Sequence, residues 1–180
     1  MSNITISGQN ITIVPQFKYL GIIIDSTLSF KTHIKKVCNR VKFSLANFKY
    51  IRNSLTFNFA KLYMDAMIMS HLTYCMTSWG QTNSLSLKPL ATLYKRTLKV
   101  LDQKPNSSHY CTILNNRKLL SWEDVIKYKN ICLVFKILHI TAPPPLNSSI
   151  IQPKSSNQVT RGTTRGDLLI PFRKSTFGKQ

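Results

Sequence analysis

The chain has 180 residues, 43% of them apolar, which is typical of one globular domain with its own core. Its 25 Lys and Arg residues face six Asp and Glu residues, so the net charge is +19 at pH 7 and the expected partner is a polyanion. Nucleic acid is favoured over a membrane surface, because no basic amphipathic helix stands apart from the core pattern. Six scattered carboxylates argue against metal-dependent and general acid–base catalysis, which need converging carboxylates.

The four cysteines predict neither a disulfide framework nor a metal site. They are Cys38, Cys75, Cys111 and Cys132. Their wide spacing lacks the close ligand pairs of a zinc site, so we interpret them as reduced thiols of an intracellular protein, in the nucleus or the cytoplasm. The N-terminal segment has no signal-peptide pattern, and no apolar run reaches the ~20 residues of a membrane span. We therefore predict no metal, no other cofactor and no membrane partner.

The first 25 residues predict β-structure. Isoleucines alternate strictly with other residues on both sides of a turn at residues 8–10, which predicts a hairpin. These isoleucines are Ile4, Ile6, Ile11 and Ile13. After Pro15, the apolar run over residues 19–24 predicts one further strand, and Asp25 follows it directly. Asp25 stands where catalytic carboxylates often lie, but with no second carboxylate nearby we interpret it as a residue that ends the strand and opens a turn.

From Phe30 onward the apolar spacing becomes helical. The first helix is predicted to begin with Ser26 or Ser29 as its N-cap. Its inward stripe is Ile34, Val37, Cys38, Val41, Leu45, Phe48 and Arg52. Its opposite face carries Lys35, Lys36, Arg40, Lys42 and Lys49.

Three further helices are predicted. The second covers residues 58–70, continues apolar to Gly80, and turns five residues inward: Phe59, Leu62, Tyr63, Ala66 and Met67. The third covers residues 86–101 and buries Leu87, Leu90, Tyr94, Leu98 and Leu101. The fourth starts at Ser121 and ends before Pro143. The fold class is thus mainly α: an N-terminal β-hairpin plus strand, an antiparallel bundle of about four helices, and a flexible tail.

Several segments in combination resemble the part of LINE-type (non-LTR retrotransposon) reverse transcriptases that follows the catalytic palm. They are "FKYLGIIIDSTLSFKTHIKKVCNRV", "LYMDAMIMSHLTYCMTSWG", "LATLYKRTLKVL" and "LLSWEDVIKYKNICLVFKIL". The final "TRGDLLIPFRKSTFGKQ" resembles the start of that family's end-of-frame motif. The resemblance extends over nearly the whole chain.

The resemblance implies an organisation and a partner. Residues 1–28 would be the end of the palm with the primer grip, residues 29–141 a thumb-like helical region, and residues 142–180 a flexible Pro/Ser/Gly-rich tail. The "F-x-Y-L-G" primer-grip residues would be Phe17, Tyr19, Leu20 and Gly21. The family's catalytic Asp-Asp box lies upstream of the primer grip, and no Asp-Asp dipeptide occurs in this sequence. We therefore expect a fragment with no catalytic residues and no polymerase activity. We expect this fragment to bind a primer–template duplex of RNA or DNA. The upstream palm would be a second partner.

Basic residues are the candidate phosphate contacts. The first group is Lys31, Lys35, Lys36, Arg40 and Lys42, and the second is Lys95, Arg96 and Lys99. No carboxylate lies between Asp25 and Asp65 to neutralise the first group, which favours phosphate contact over a merely solvated face; for the second group the two interpretations are balanced.

The aromatic and histidine residues have structural alternatives. Phe17 and Tyr19 would either stack on a strand or pack against the bundle, and packing is favoured. Trp79 and Trp122 are interpreted as core residues. His33 is interpreted as a helix-start or packing residue, and neither it nor His71 as a metal ligand.

Three functions remain open: a nucleic-acid-binding part of a reverse transcriptase, a decayed transposon remnant without independent activity, and a basic helical module that binds acidic proteins. Salt-sensitive duplex binding would favour the first, absence of cooperative unfolding the second, and selective binding to acidic protein the third. The sequence does not predict an oligomeric state.

Overall fold

The computed structural model describes residues 4–6 and 9–139, and this part of the chain is mainly helical, as the sequence predicts. Two antiparallel β-hairpins come first and helices follow. The chain divides into two compact units, one ending at Trp122 and the other beginning at Glu123. The predicted divisions at residues 28/29 and 141/142 stay predictions, and the tail predicted over 142–180 lies outside the described residues.

The first hairpin forms as predicted. Strands β1 (Ile4–Ile6) and β2 (Gln9–Ile11) pair antiparallel, with Ile4 opposite Ile11. Residues 9 and 10, predicted as part of the turn, belong to β2.

The single strand predicted over residues 19–24 is wrong, because the chain reverses inside it. Strands β3 (Gln16–Tyr19) and β4 (Ile22–Asp25) form a second hairpin, in which Tyr19 lies opposite Ile22. The turn consists of Leu20 and Gly21, whose φ angles are 44° and 88°. Successive positive φ angles are what a type I′ turn requires, and it usually contains Asn, Asp or Gly. Leucine at the first position hid the turn within an apolar run.

Asp25 organises the connection from β4 to the first helix. Its carboxylate accepts hydrogen bonds from the Thr27 hydroxyl (2.6 Å) and from the backbone N–H groups of Ser29 (2.9 Å) and Phe30 (2.8 Å). The predicted serine N-cap is wrong: the N-cap is Phe30, at φ 52°, and it makes no side-chain cap. Asp25 satisfies the N–H groups that a serine would otherwise bind, so the structural interpretation of this residue is supported.

Replacing Asp25 with Asn is expected to destabilise the protein by about 2 kcal/mol, because an ionised acceptor becomes a neutral amide whose NH₂ faces N–H donors. The Thr27 hydroxyl, with help from the Ser29 and Phe30 N–H groups, holds the pKa of Asp25 far below its usual 3.8. Its stabilisation is therefore complete above pH 3.8 and is lost as the pH falls toward the folded-state pKa. Urea unfolding at pH 7 and pH 2.5 should show a narrower gap between variant and wild type in acid; a gap that widens would contradict the assignment.

Helix α1 spans Lys31–Ile51 and buries the predicted stripe, which ends at the buried Arg52. A 3₁₀ turn over Arg52–Ser54 leads to α2 (Phe57–Met64), a π-helical turn (Asp65–Met69) and α3 (Ser70–Thr73). Next come α4 (Met76–Trp79), α5 (Ser84–Leu101), α6 (Tyr110–Arg117) and α7 (Trp122–Leu138). The predicted third and fourth helices correspond to α5 and α7, whereas α6 was not predicted. None of the helices in the described ranges is long and apolar enough to cross a membrane.

The inward face predicted for the second helix is largely wrong. Phe59 and Leu62 are 64% and 63% exposed, and Met67 and Ala66 are exposed as well. The residues that point inward are spaced by four: Ala60, Met64, Ile68 and Leu72. Apolar residues lie on two sides of this segment, and the π-helical turn shifts its register, so a period of 3.6 residues selected the wrong side.

Helix α5 is the centre of the first unit, since α1, α2 and α6 all pack against it. Its C-terminal carbonyl is bound by Arg52, whose Nε and Nη2 donate to Leu101 O at 2.8 and 2.6 Å. A buried guanidinium between two helix ends replaces the partners that the last carbonyl of α5 lacks within its own helix. Arg52 therefore has a structural role, unlike the exposed lysines of α1.

Candidate nucleic-acid interface

The tip of the second hairpin is fixed to the break between α3 and α4. Tyr74 donates its hydroxyl hydrogen to Leu20 O (2.7 Å), and a Cβ added to Gly21 would lie 3.6 Å from the Tyr74 ring. Trp79 in turn donates from Nε1 to Tyr74 O (2.9 Å), and its ring meets that of His33 edge-on at 5.7 Å. The "F-x-Y-L-G" residues and the segment "YCMTSWG" (residues 74–80) are thus joined by one direct hydrogen bond, from Tyr74 to Leu20.

The aromatic residues of this hairpin point into solvent. Phe17 and Tyr19 are 61% and 58% exposed, and Leu20 is 71% exposed. The favoured prediction that Phe17 and Tyr19 pack into the core is therefore wrong. Trp79 and Trp122 are buried, which confirms the core prediction for both.

The basic residues of α1 form two groups rather than one face. At 3.6 residues per turn, Lys31, Lys35, Lys42 and Lys49 fall within about 40° of one another and extend for about 27 Å along the helix. All four are exposed, and we call them the lysine row. Lys36 and Arg40 lie at least a quarter turn away, on the side of α1 next to His33.

Two exposed aromatic residues lie between these groups. Phe43 and Tyr50 are 71% and 89% exposed, and their positions are two turns apart on the same side of α1. Sequence reasoning missed them, although the helical spacing that located the stripe also places both outside it. Aromatic rings beside basic side chains can stack on bases while the cations contact phosphates.

The second predicted group is partly used within the protein. The Lys95 ammonium lies 4.5 Å from the centre of the Tyr110 ring, and Lys99 Nζ donates to Asn106 O. Arg96 is exposed. Phosphate contact by this group stays a prediction, and the lysine row is the stronger candidate.

A cavity of about 370 Å³ lies between the hairpin tip, α1 and α3. Its walls are Gly21, His33, Val37, Arg40, Ser70, His71 and Tyr74. Among the described residues that line it, none is acidic. It brings two of the predicted site residues, Gly21 and Arg40, together with two histidines that were not predicted to bind anything.

His33 is the unusual member of this cavity. It is 4% exposed, and its Nδ1 accepts a hydrogen bond from Ile23 N–H (3.4 Å). Burial, together with the charges of Lys36 and Arg40, lowers its pKa below the usual 6.5, so the ring is neutral at pH 7. With Nδ1 accepting, the ring hydrogen belongs on Nε2, and Nε2 has no partner among the described residues. His33 is thus a packed residue, as predicted, with an unused donor.

The aspartates of the described ranges are each engaged structurally. Asp65 pairs with Lys61 at 2.8 Å, Asp102 with Arg117 at 2.6 Å and Asp124 with Lys127 at 3.7 Å, while Asp25 holds its turn. Within the described residues, no three His, Cys, Asp or Glu side chains are grouped so that they could hold a metal ion.

The comparisons with known proteins give no assignment: no protein-family model, curated protein or solved structure matches the chain. The functional interpretation therefore rests on the sequence motifs and on the geometry of the hairpin and α1.

Proposed function

We propose that this chain is the primer-grip and thumb part of a non-LTR retrotransposon reverse transcriptase, and that it binds a primer–template duplex without catalysing polymerisation. The lysine row is the observation that carries the proposal. Four exposed ammonium groups lie along one line of α1, and the helix itself contains no carboxylate to neutralise them.

The position of the row supports an anionic ligand on electrostatic grounds. The first turn of α1 contains no acidic residue, and it begins with Lys31. The Asp25 carboxylate already binds the N–H groups ahead of this turn, so a bound phosphate would act by neutralising the lysines themselves. The row's length of about 27 Å corresponds to roughly eight nucleotide steps of 3.4 Å along one strand.

The second hairpin supports a primer-grip role. Its tip is anchored by Tyr74, while Phe17, Tyr19 and Leu20 present apolar surface to solvent. A rigid, exposed tip of this kind is suited to press against a sugar or a base at the end of a strand.

The absence of catalysis is part of the proposal. The sequence has no Asp-Asp dipeptide, and the four aspartates named above serve turns and ion pairs. Two-metal nucleotidyl transfer needs carboxylates that converge on ions about 4 Å apart. With nucleic acid as the partner, we place the protein in the nucleus or the cytoplasm.

A protein-interaction function is the second candidate, and one observation favours it. Phe59, Leu62 and Met67 expose apolar surface on one side of α2 and the turn after it. Another protein, such as a palm domain, would cover this apolar surface. An acidic protein could in addition bind the lysine row.

Competition between two polyanions separates these functions. The full chain should bind a labelled RNA–DNA duplex at micromolar concentration or better, and polyglutamate of equal charge should displace it only weakly. Displacement by polyglutamate at equal charge would favour the protein-binding module. A chain without cooperative unfolding would support the decayed remnant.

A further inference from the structure

Two aromatic side chains of α1 lie mostly in solvent. Phe43 is 71% exposed and Tyr50 is 89% exposed, and within the described residues neither ring lies against another aromatic ring or a cation. Apolar surface stabilises the folded state only when it is removed from water, so these rings contribute little to folding. A single exposed aromatic residue is ordinary, whereas two on the same side of one basic helix point to a ligand.

The surface around the two rings is basic. Helix α1 contains six basic residues and no Asp or Glu among its 21 residues. Each ring has a lysine of the row at its own level along the helix, since Lys42 directly precedes Phe43 and Lys49 directly precedes Tyr50. An acidic protein would supply carboxylates for the lysines, but a nucleic-acid strand supplies both phosphates for the lysines and planar bases for the rings.

The spacing of the rings and the shape of the helix favour an unpaired strand. Phe43 and Tyr50 are about 10 Å apart along the axis of α1, close to three nucleotide steps of about 3.4 Å. Between them on this side, the exposed residues Ala46 and Asn47 are short, which leaves room for bases beside the rings. The bases of a duplex are stacked on one another, so aromatic side chains on a convex helix can stack only on unpaired bases.

We propose that this side of α1 binds an unpaired strand of RNA or DNA that adjoins the duplex, with its phosphates on Lys42 and Lys49 and its bases stacked on Phe43 and Tyr50. The rings lie a quarter turn from the lysine row, an arc of roughly 9 Å that a flexible lysine side chain and one nucleotide span together. The inference rests on the proposed function, because the lysine row contacts the duplex as well. It deepens that function by making the ligand a duplex with a single-stranded tail.

Duplexes that differ only in their tails test the inference with the full chain. An RNA–DNA duplex with a tail of about six thymidines, within the roughly 4–16 nucleotides of single-strand sites, is compared with the same duplex carrying an abasic tail of equal length. The two ligands have the same phosphates, and only the first has bases to stack. Fluorescence anisotropy should show about tenfold tighter binding of the thymidine tail, at the 5′ or the 3′ end. Equal affinity for thymidine and abasic tails at both ends would overturn the proposal.

Replacing Phe43 and Tyr50 together with alanine tests the rings themselves. The double variant should bind the thymidine-tailed duplex about tenfold more weakly, no better than the abasic one, with an unchanged salt slope because stacking releases no counterions. A matched control replaces Phe59 and Tyr128, which are 64% and 54% exposed outside α1, and it should keep the preference for bases. Equal losses in the two double variants, or a preference that survives in the first, would overturn the proposal.

Two further outcomes separate this inference from its alternatives. If the Phe43 and Tyr50 double variant loses as much affinity for polyglutamate as for the thymidine-tailed duplex, the rings serve an acidic protein partner and the proposal is overturned. Duplex binding that does not depend on the bases of the tail would refute the stacking alone, whereas failure to bind any of the duplexes would refute the proposed function.

Discussion

Replacing Lys35, Lys42 and Lys49 together with glutamine is expected to lower the affinity for an RNA–DNA duplex by about 100-fold at low salt. Each lysine that contacts a phosphate releases a counterion, so the slope of log K against log salt should become shallower by about 2 to 3 units. The side chains are exposed, so the free energy of unfolding should change by less than about 0.5 kcal/mol. Fluorescence anisotropy over a salt series measures both quantities.

A matched control removes three charges elsewhere. Lys88, Lys104 and Lys118 are exposed and lie outside α1. Their triple glutamine variant has the same net charge as the row variant, and it should retain most of the duplex affinity. If the two variants lose affinity equally, binding depends on net charge alone and the lysine row has no special role.

Replacing Trp79 with alanine is expected to destabilise the first unit by about 3–5 kcal/mol, the largest stability effect among the substitutions considered. The indole is fully buried and donates to Tyr74 O, so the variant leaves a cavity and an unpaired carbonyl. Because Tyr74 holds the hairpin tip, local protection of β3 and β4 against amide exchange should fall as well. Chemical unfolding followed by far-ultraviolet circular dichroism measures the loss.

Two further variants keep this prediction testable if Trp79→Ala does not fold. Trp79→Phe keeps most of the volume and loses the hydrogen bond, and it should cost about 1–2 kcal/mol. Tyr50→Ala deletes an aromatic ring that is 89% exposed and should cost less than about 0.5 kcal/mol. A Trp79→Ala variant as stable as Tyr50→Ala would contradict the buried position of the Trp79 indole.

The sequence predicted α1 well for a physical reason. Most of its apolar residues form a single stripe, and outside it Phe43 and Tyr50 stand among lysines, so one face was clearly the one to be buried. The segment of α2 and α3 is apolar on two sides, and a π-helical turn at Asp65–Met69 changes the register, so periodicity alone could not select the inward side. Helix α6 has a short and weakly patterned sequence, which left nothing for a periodicity argument to detect.

Only part of the candidate site could likewise be predicted from the sequence. The lysines of α1 could be predicted, since they are local to one helix and unopposed by carboxylates. The cavity could not, because Gly21, Arg40 and Tyr74 come from three separate elements and meet only through the tertiary fold. The turn at Leu20 and Gly21 was also hidden, since its backbone requirement is met by an atypical leucine.

The salt dependence of duplex binding by the unmodified full chain tests the central claim most directly. With the chain shown to unfold cooperatively, log K for an RNA–DNA duplex should fall linearly with log salt, with a slope of about −3 or steeper if the lysine row contacts phosphates. A folded chain that binds no tighter than millimolar at low salt, or whose affinity is independent of salt, would contradict the proposal that α1 is a nucleic-acid-binding surface.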